Sequence, residues 1–305
     1  IVDDDKAGTN NTKTYSLTIS GGYFTSKPDD AYVAAQKVAA EDSTQSGYSY
    51  TVRDLQVKVA EPVAEAKSEV TDTTKTAAAN SVVTALTAAP EVSNPPTVAT
   101  GLDTAAKEAA VAAEDTAEKA KADNLEALKT QTNNSSLTAE SVKVYTQPYL
   151  DIKVADVDTT GGLASVTLDI KPMCKTVVST ATDPSEVSDT NSVAVANSSK
   201  DITAELGTDT HVVITLQIPG TLYNLAVNNK LTIKHVKENG TTYYYTATTS
   251  TKKDNYNADI YYMTFTVTHG FSAFTASAAD TRTGTVNYQD KDGNALSTVT
   301  YSITD

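Results

Sequence analysis

Four stretches decide the fold: residues 211–220 read HVVITLQIPG, 230–237 read KLTIKHVK, 241–248 read TTYYYTAT and 260–269 read IYYMTFTVTH. Each alternates apolar and polar side chains with a period of two, and each is rich in Val, Ile, Thr, Tyr or Phe. That is the pattern of strands with one buried face. Pro219-Gly220, Asn239-Gly240 and Gly270 separate them as turns. Asn239-Gly240 is the sharpest hairpin signal, because both residues tolerate positive φ. Working outward, further strand-like runs fall at 141–145, 150–157, 164–170, 175–180, 192–196 and 283–288. Gly161-Gly162, Pro172, Pro184 and Asp292-Gly293 punctuate them as turn signals. Many short strands with frequent turns predict a mainly β chain, with an antiparallel Ig-like β-sandwich over residues 139–280.

The first 138 residues read differently, as a mixed α+β part with Ala-rich helices. Residues 14–20 (TYSLTIS) and 48–60 (YSYTVRDLQVKVA) predict strands. Pro28-Asp29-Asp30 suits a helix start, with Ala31, Ala34, Ala35 and Val38 at helical spacing behind it. Residues 76–89 form the better helical half of an Ala-, Lys- and Glu-rich run. Pro90, Pro95 and Pro96 mark a loop, and 103–131 predict one long helix with an Ala face that buries little area. Asn133-Asn134-Ser135-Ser136 ends it. The segment from Tyr50 to Ala60 echoes that from Tyr145 to Ala155 in Tyr, Thr, Leu, Lys, Val and Ala positions. Two related modules or chance similarity in a Thr/Val/Ala-rich chain both account for the echo. Residues 281–305 are expected to form a terminal hairpin, the start of a further module.

Composition narrows the function classes. At 305 residues a chain buries about three quarters of its unfolded surface, so a real core is feasible. With no Trp and 4 Phe, that core must use small and β-branched residues plus some of the 16 Tyr. A net charge of −14 repels nucleic acid, which needs clustered Lys and Arg. No run approaches the ~18 apolar residues of a membrane span, so no membrane insertion is expected. Cys174 is alone, which excludes an intrachain disulfide and fits Gram-positive secretion. It is expected to be a small buried side chain. The N-terminal residues Ile1 to Lys6 are acidic and lack a signal-peptide core, so the chain reads as a mature or trimmed fragment. No cell-wall sorting motif is visible at Asp305.

From residue 211 onward the strand ending in Ile218-Pro219-Gly220, the run Lys230 to Val236, the Asn239-Gly240 turn and the closing Met263 to Phe274 (MTFTVTHGFSAF) carry a resemblance. They resemble a β-sandwich module of large secreted proteins of Gram-positive gut bacteria, which closes on a similar "strand, His, Phe-Ser-x-Phe" ending. The resemblance covers roughly 140–280. Residues 284–296 (GTVNYQDKDGNAL) resemble the opening hairpin of mucin-binding-type β-grasp repeats of surface proteins. These likenesses imply an extracellular or cell-wall-associated, multi-module protein, and imply no ligand.

No catalytic signature is present: no G-x-S-x-G, no H-E-x-x-H, no Gly-rich phosphate loop ending in Lys-Ser/Thr. Asp156 and Asp158 share a strand face, but carboxylate pairs arise by chance in an acidic chain, so a glycoside hydrolase is the remote reading. Asp290 to Asn294 resembles the start of a calcium loop, yet its Gly is misplaced and no Glu closes it, so an Asp-Gly hairpin turn explains it better. Lys153 and Lys171 are candidates for Lys–Asn isopeptide bonds, which would lower the intact mass by one ammonia per bond. Tyr243, Tyr245, Tyr261 and Tyr262 are candidate contacts for a host or bacterial glycan or a surface protein, or else core residues in place of Trp and Phe. His235 and His269 fall on apolar strand faces and are expected to be partly buried and neutral, with Phe271 and Phe274 as structural neighbours. With His211 the only other histidine, neither a metal nor a cofactor is expected. A non-catalytic structural or spacer module is the leading expectation, and an adhesin or glycan-binding module the alternative. Limited proteolysis is expected to cut at 90–96 and 133–136 before it cuts anywhere in 210–275; a first cut inside Lys230 to His269 would count against the sandwich.

Overall fold

The computed structural model describes residues 17–88, 97–100, 102–159, 165–206, 211–228, 231–237, 239–254, 256–278, 281–289 and 295–304. The chain is mainly β, with 42% strand against 24% helix, and its strands form several antiparallel sheets. It divides into two compact units, Ile1–Leu55 and Gln56–Asp305.

In the first unit, strands β1 (Gly22–Phe24), β2 (Lys37–Glu41) and β3 (Tyr50–Asp54) form an antiparallel sheet in the order β1-β3-β2. Val33, Ala39 and Val52 make its core, with Ile19 and Phe24 packed against them. The helix expected after Pro28 is not there. Asp29 caps a single 3-10 turn, accepting from the Ala31 N–H at 2.9 Å. Gln36 then turns through positive φ, and Val38 and Ala39 enter β2 opposite Arg53 and Val52. Pairing with a strand outweighs the weak helix preference of an Ala-rich run. Of the strand expected at 14–20, the first three residues lie outside the described residues, and Ile19 makes an isolated bridge to Val33.

The second unit is organised on a long antiparallel ladder, β7 (Lys143–Asp158) with β8 (Ser165–Ser179). Before it come β4 (Lys58–Val59), β5 (Val63–Ser68), helix α1 (Thr76–Leu86), β6 (Thr97–Thr100) and helices α2 (Asp103–Glu114) and α3 (Ala117–Thr132). After it come β9 (Ser192–Ala194), β10 (Lys200–Asp201), β11 (Val212–Ile218), α4 (Gly220–Asn228), β12 (Leu231–Val236), β13 (Thr242–Thr246), β14 (Thr248–Lys253), β15 (Asp259–Val267), β16 (Ala273–Ala278), β17 (Thr281–Gln289) and β18 (Ala295–Thr304). One sheet runs β13-β12-β16-β8-β7-β4, with β5 also on β7 and β9 and β10 also on β8. The second runs β14-β15-β11-β6, and β17 pairs with β18. A single buried cluster takes Ile152, Leu168, Ile233 and Phe274 from the first sheet, Ile214, Leu216, Met263 and Phe265 from the second, and Val82, Leu86 and Ala106 from the helices. Elements from both sides of the expected boundary at 138/139 therefore share this core.

Several sequence expectations are corrected here. Pro172 does not break a strand: β8 passes straight through it, opposite Leu150. Pro148 lies within β7, where the parallel partner strand is interrupted between Val59 and Val63. Proline offers no N–H to a ladder, and Pro62 and Pro148 both fall at this interruption. The Lys- and Glu-containing run at 63–68 is an edge strand, not helix. The long helix expected at 103–131 is two helices parted at Asp115-Thr116, where the Thr116 hydroxyl donates back to the Ala113 carbonyl at 3.2 Å. Asn133 ends the second at φ 51°. In the Asn239-Gly240 turn only Gly240 has positive φ, 81°, and the Lys237 N–H closes on the Thr241 carbonyl. The echoed segment 50–60 is split between the two units, so it is not one strand. The loop at 90–96 and the Asp-Gly turn at 290–294 lie outside the described residues, as does the calcium-loop reading.

The ladder holds its register by one irregularity. Ile152 and Val154 point inward, Lys153 between them outward; Ala155 and Asp156 are then both exposed, and Val157 returns to the core. Ala155 is the unpaired residue, since Val154 faces Leu168 and Asp156 faces Thr167. This bulge keeps the apolar residues on one face. Deleting Ala155 therefore regularises the strand and is expected to cost under ~1 kcal/mol in urea unfolding. Deleting Lys153 drives Val154 outward and is expected to cost several times that, or to prevent folding.

Candidate functional site

One chain of polar groups links β12 and β13 with the segments on either side of the Gly270 turn. The register puts Tyr243 of β13, His235 of β12, Phe274 of β16 and Leu168 of β8 in one row across the sheet. Period-two alternation sends Leu231, Ile233 and His235 to the same buried face. His235 is 0% exposed, its ring stacked on Phe274 at 4.4 Å between centroids. A polar ring at such a place needs partners on both nitrogens. Nε2 lies 2.7 Å from the Ser272 hydroxyl and Nδ1 lies 3.3 Å from the Tyr245 hydroxyl.

The directions of these bonds follow from Ser272. Its hydroxyl donates to the Val236 carbonyl at 2.9 Å. Its one proton is thereby used, so its oxygen accepts from His235 Nε2–H, and Nδ1 is left to accept from Tyr245. Tyr245 also lies 3.3 Å from Nδ1 of His269, which in turn is 2.7 Å from the Thr268 hydroxyl. The His269 ring stacks on Tyr243 at 3.9 Å, and the Lys237 ammonium sits 5.4 Å from the centroid of that same tyrosine ring. Burial, then the positive charge of Lys237 and the neighbouring His269, bring the His235 pKa down to about 4. Burial also raises that of Tyr245. His235 and Tyr245 are therefore both neutral at pH 7.

Chemically this arrangement orients rather than activates. The serine proton points to a backbone carbonyl and away from the imidazole, and the far side of the ring meets a phenol rather than a carboxylate, unlike a nucleophile–base–acid series. Among the described residues no group of three or more His, Cys, Asp or Glu side chains is placed to share a metal ion.

The expected site residues are distributed as follows. Tyr243 and Tyr245 are half-buried in the histidine cluster; Tyr244, between them, is 52% exposed on the opposite face. Tyr262 is buried in β15 under the Lys252 ammonium at 5.6 Å. Tyr261 is half-buried, its ring 4.4 Å from that of Tyr223, and a Cβ on Gly220 would come within 2.9 Å of it. Phe271 is partly buried against the core. His269 departs from expectation: it is exposed, because it lies just past the end of β15 beside the Gly270 turn. His211 is exposed too. Cys174 is 2% exposed, and burial pushes its thiol up to about 12. Asp156 pairs with Lys75 at 2.8 Å, Lys153 with Glu69 at 3.4 Å, and Lys171 is exposed. Sequence reasoning did not bring Ser272 to His235; the signal available was the Phe-Ser-x-Phe ending directly behind Gly270. Comparison with known protein families, curated proteins and solved structures finds no match.

The His235 pKa makes folding pH-dependent. An unfolded His titrates near ~6.5 and the folded one near about 4, so the folded state binds fewer protons between these values. The stabilisation is complete above ~6.5 and is lost as pH falls towards about 4, by about 3 kcal/mol in all. In urea unfolding between pH 7.5 and 4.5, the wild type is expected to lose clearly more stability than His235→Gln. Equal losses would place the acid sensitivity elsewhere.

Proposed function

We propose that this chain is a non-catalytic structural or spacer module of a secreted bacterial surface protein, and that its two facing sheets form an Ig-like sandwich. The observation that carries the reading is the histidine chain: its imidazole, hydroxyl and phenol groups are engaged in holding strands together. Ser272 bonds to β12, His235 to Ser272, and Tyr245 to both histidines. Cross-strand hydroxyl pairs such as Thr167–Thr275 at 3.0 Å and Thr215–Thr264 at 2.9 Å extend the same use of polar groups. The acidic, cysteine-poor composition and the resemblance to secreted modules support the extracellular setting.

An adhesin or glycan-binding module is the second reading, favoured by Tyr256 at 85% exposed and Tyr244 at 52%. Exposed aromatic rings are contact surface in recognition sites. A glycan array separates the two. The structural reading expects no retention above background. Retention that disappears in the Tyr244→Ala, Tyr256→Ala double variant, with melting temperature unchanged, would replace it with the adhesin reading.

A further inference from the structure

Helix α2 and the middle of the β7–β8 ladder leave a cavity of about 260 Å³ between them. Ala105 and Ala109 of the helix line one side, Thr146 and Cys174 of the ladder the other, and Lys200 and Glu205 also border it. Alanine methyls make up much of the helix side of its lining. Two polar atoms at this cavity stand out. Thr146 is 1% exposed and its hydroxyl finds no hydrogen-bond partner in the protein; the buried Oε2 of Glu205 finds none either. Glu205 is held ionised by its bond to Lys200, 2.5 Å from Oε1. A buried hydroxyl left unmatched is costly and a charged oxygen more so, so such atoms call for a partner.

We propose that this cavity binds a small, neutral, hydroxyl-bearing molecule of about monosaccharide size. The free carboxylate oxygen asks for a donor and repels anions. Lys175 and Lys200 line the cavity beside Glu108 and Glu205, so its charged lining balances and favours a neutral ligand over an ion of either sign. A neutral hydroxyl satisfies Glu205 Oε2, a second one satisfies Thr146, and the C–H faces of the ligand rest on the alanine methyls and the Cys174 thiol. The volume lies just under the ~300 Å³ at which drug-sized sites begin, which suits a single sugar ring or polyol. This inference goes beyond the structural role proposed above and does not depend on the exposed tyrosines.

The test is a methyl NMR titration of the full chain with glucose, galactose, N-acetylglucosamine and glycerol, and separately with ethylammonium and acetate. At least one neutral probe is expected to shift the Ala105 and Ala109 methyls saturably. Thr146→Val and Glu205→Gln are each expected to weaken that probe about tenfold or more, the loss of one hydrogen bond to a buried group. Thr146→Val is isosteric and removes an unmatched hydroxyl, so it is expected to melt no lower than the wild type. No saturable shift with any neutral probe would mean that water alone occupies the cavity and would overturn the proposal. So would shifts unchanged in both variants, or tighter binding of a charged probe.

Discussion

The antiparallel ladder of Lys143–Asp158 with Ser165–Ser179 is the constraint from which the larger unit is built. Both strands are long, so different stretches of them serve different neighbours. The first half of β8 takes β16, and through it β12 and β13; the second half takes β9 and β10; β7 takes β4 and β5 on its outer side. Side chains alternate strictly along such strands, so a register error anywhere would turn Ile152, Val154, Leu168 and Ile170 to the wrong face together. The bulge at Ala155 absorbs the one mismatch, while the second sheet and α1 supply the apolar surface against which those residues pack.

The histidine chain depends on that ladder in turn. Phe274 occupies its place because β16 is registered against Leu168 of β8, and His235 stacks on Phe274 because β12 is registered against β16. An unpartnered imidazole at zero exposure would be costly, and a phenylalanine there would take one partner each from Ser272 and Tyr245. A buried polar chain of this kind joins β12, β13 and the segment before β16 in one geometry. It also links the fold to acidity, since the ring stays neutral only by resisting protonation.

The strands of the C-terminal half are legible because their alternation is dense in Val, Ile, Thr and Tyr: β11, β12 and β13 lie inside the runs that pattern alone marks, and β15 exceeds its run only by Asp259. What the pattern lacks is pairing. Nothing in VAEAKS announces a parallel strand on β7, since Ala, Glu and Lys favour helix and only the neighbour decides otherwise. The same holds for Val38 and Ala39 in β2. Helix α4 follows Pro219-Gly220, a pair that signals a turn although proline equally precedes a helix, and its Leu222 is fully buried. His235 was placed on its buried face by parity, whereas His269, on an equally apolar face, is exposed because it lies beyond the last paired residue. Parity gives the face of a strand but not its end.

The cavity was invisible for a related reason. An Ala-rich helix reads as a weakly held one, because methyl groups bury little area. In the structure that same smoothness has a geometric consequence: α2 buries Ala105, Ala106 and Ala110 fully, yet it does not fill the space in front of Thr146. A leucine at Ala109 would gain buried apolar area and fill space beside the orphan hydroxyl. A sequence selected only for stability would be expected to make such an exchange, or to carry valine at 146, since both changes relieve an unfavourable feature at no cost to the strand pattern. A small helix face, an unmatched threonine and an unmatched carboxylate oxygen at one place are three separate departures from the best-packed solution. Such departures concentrate where a surface serves something besides folding.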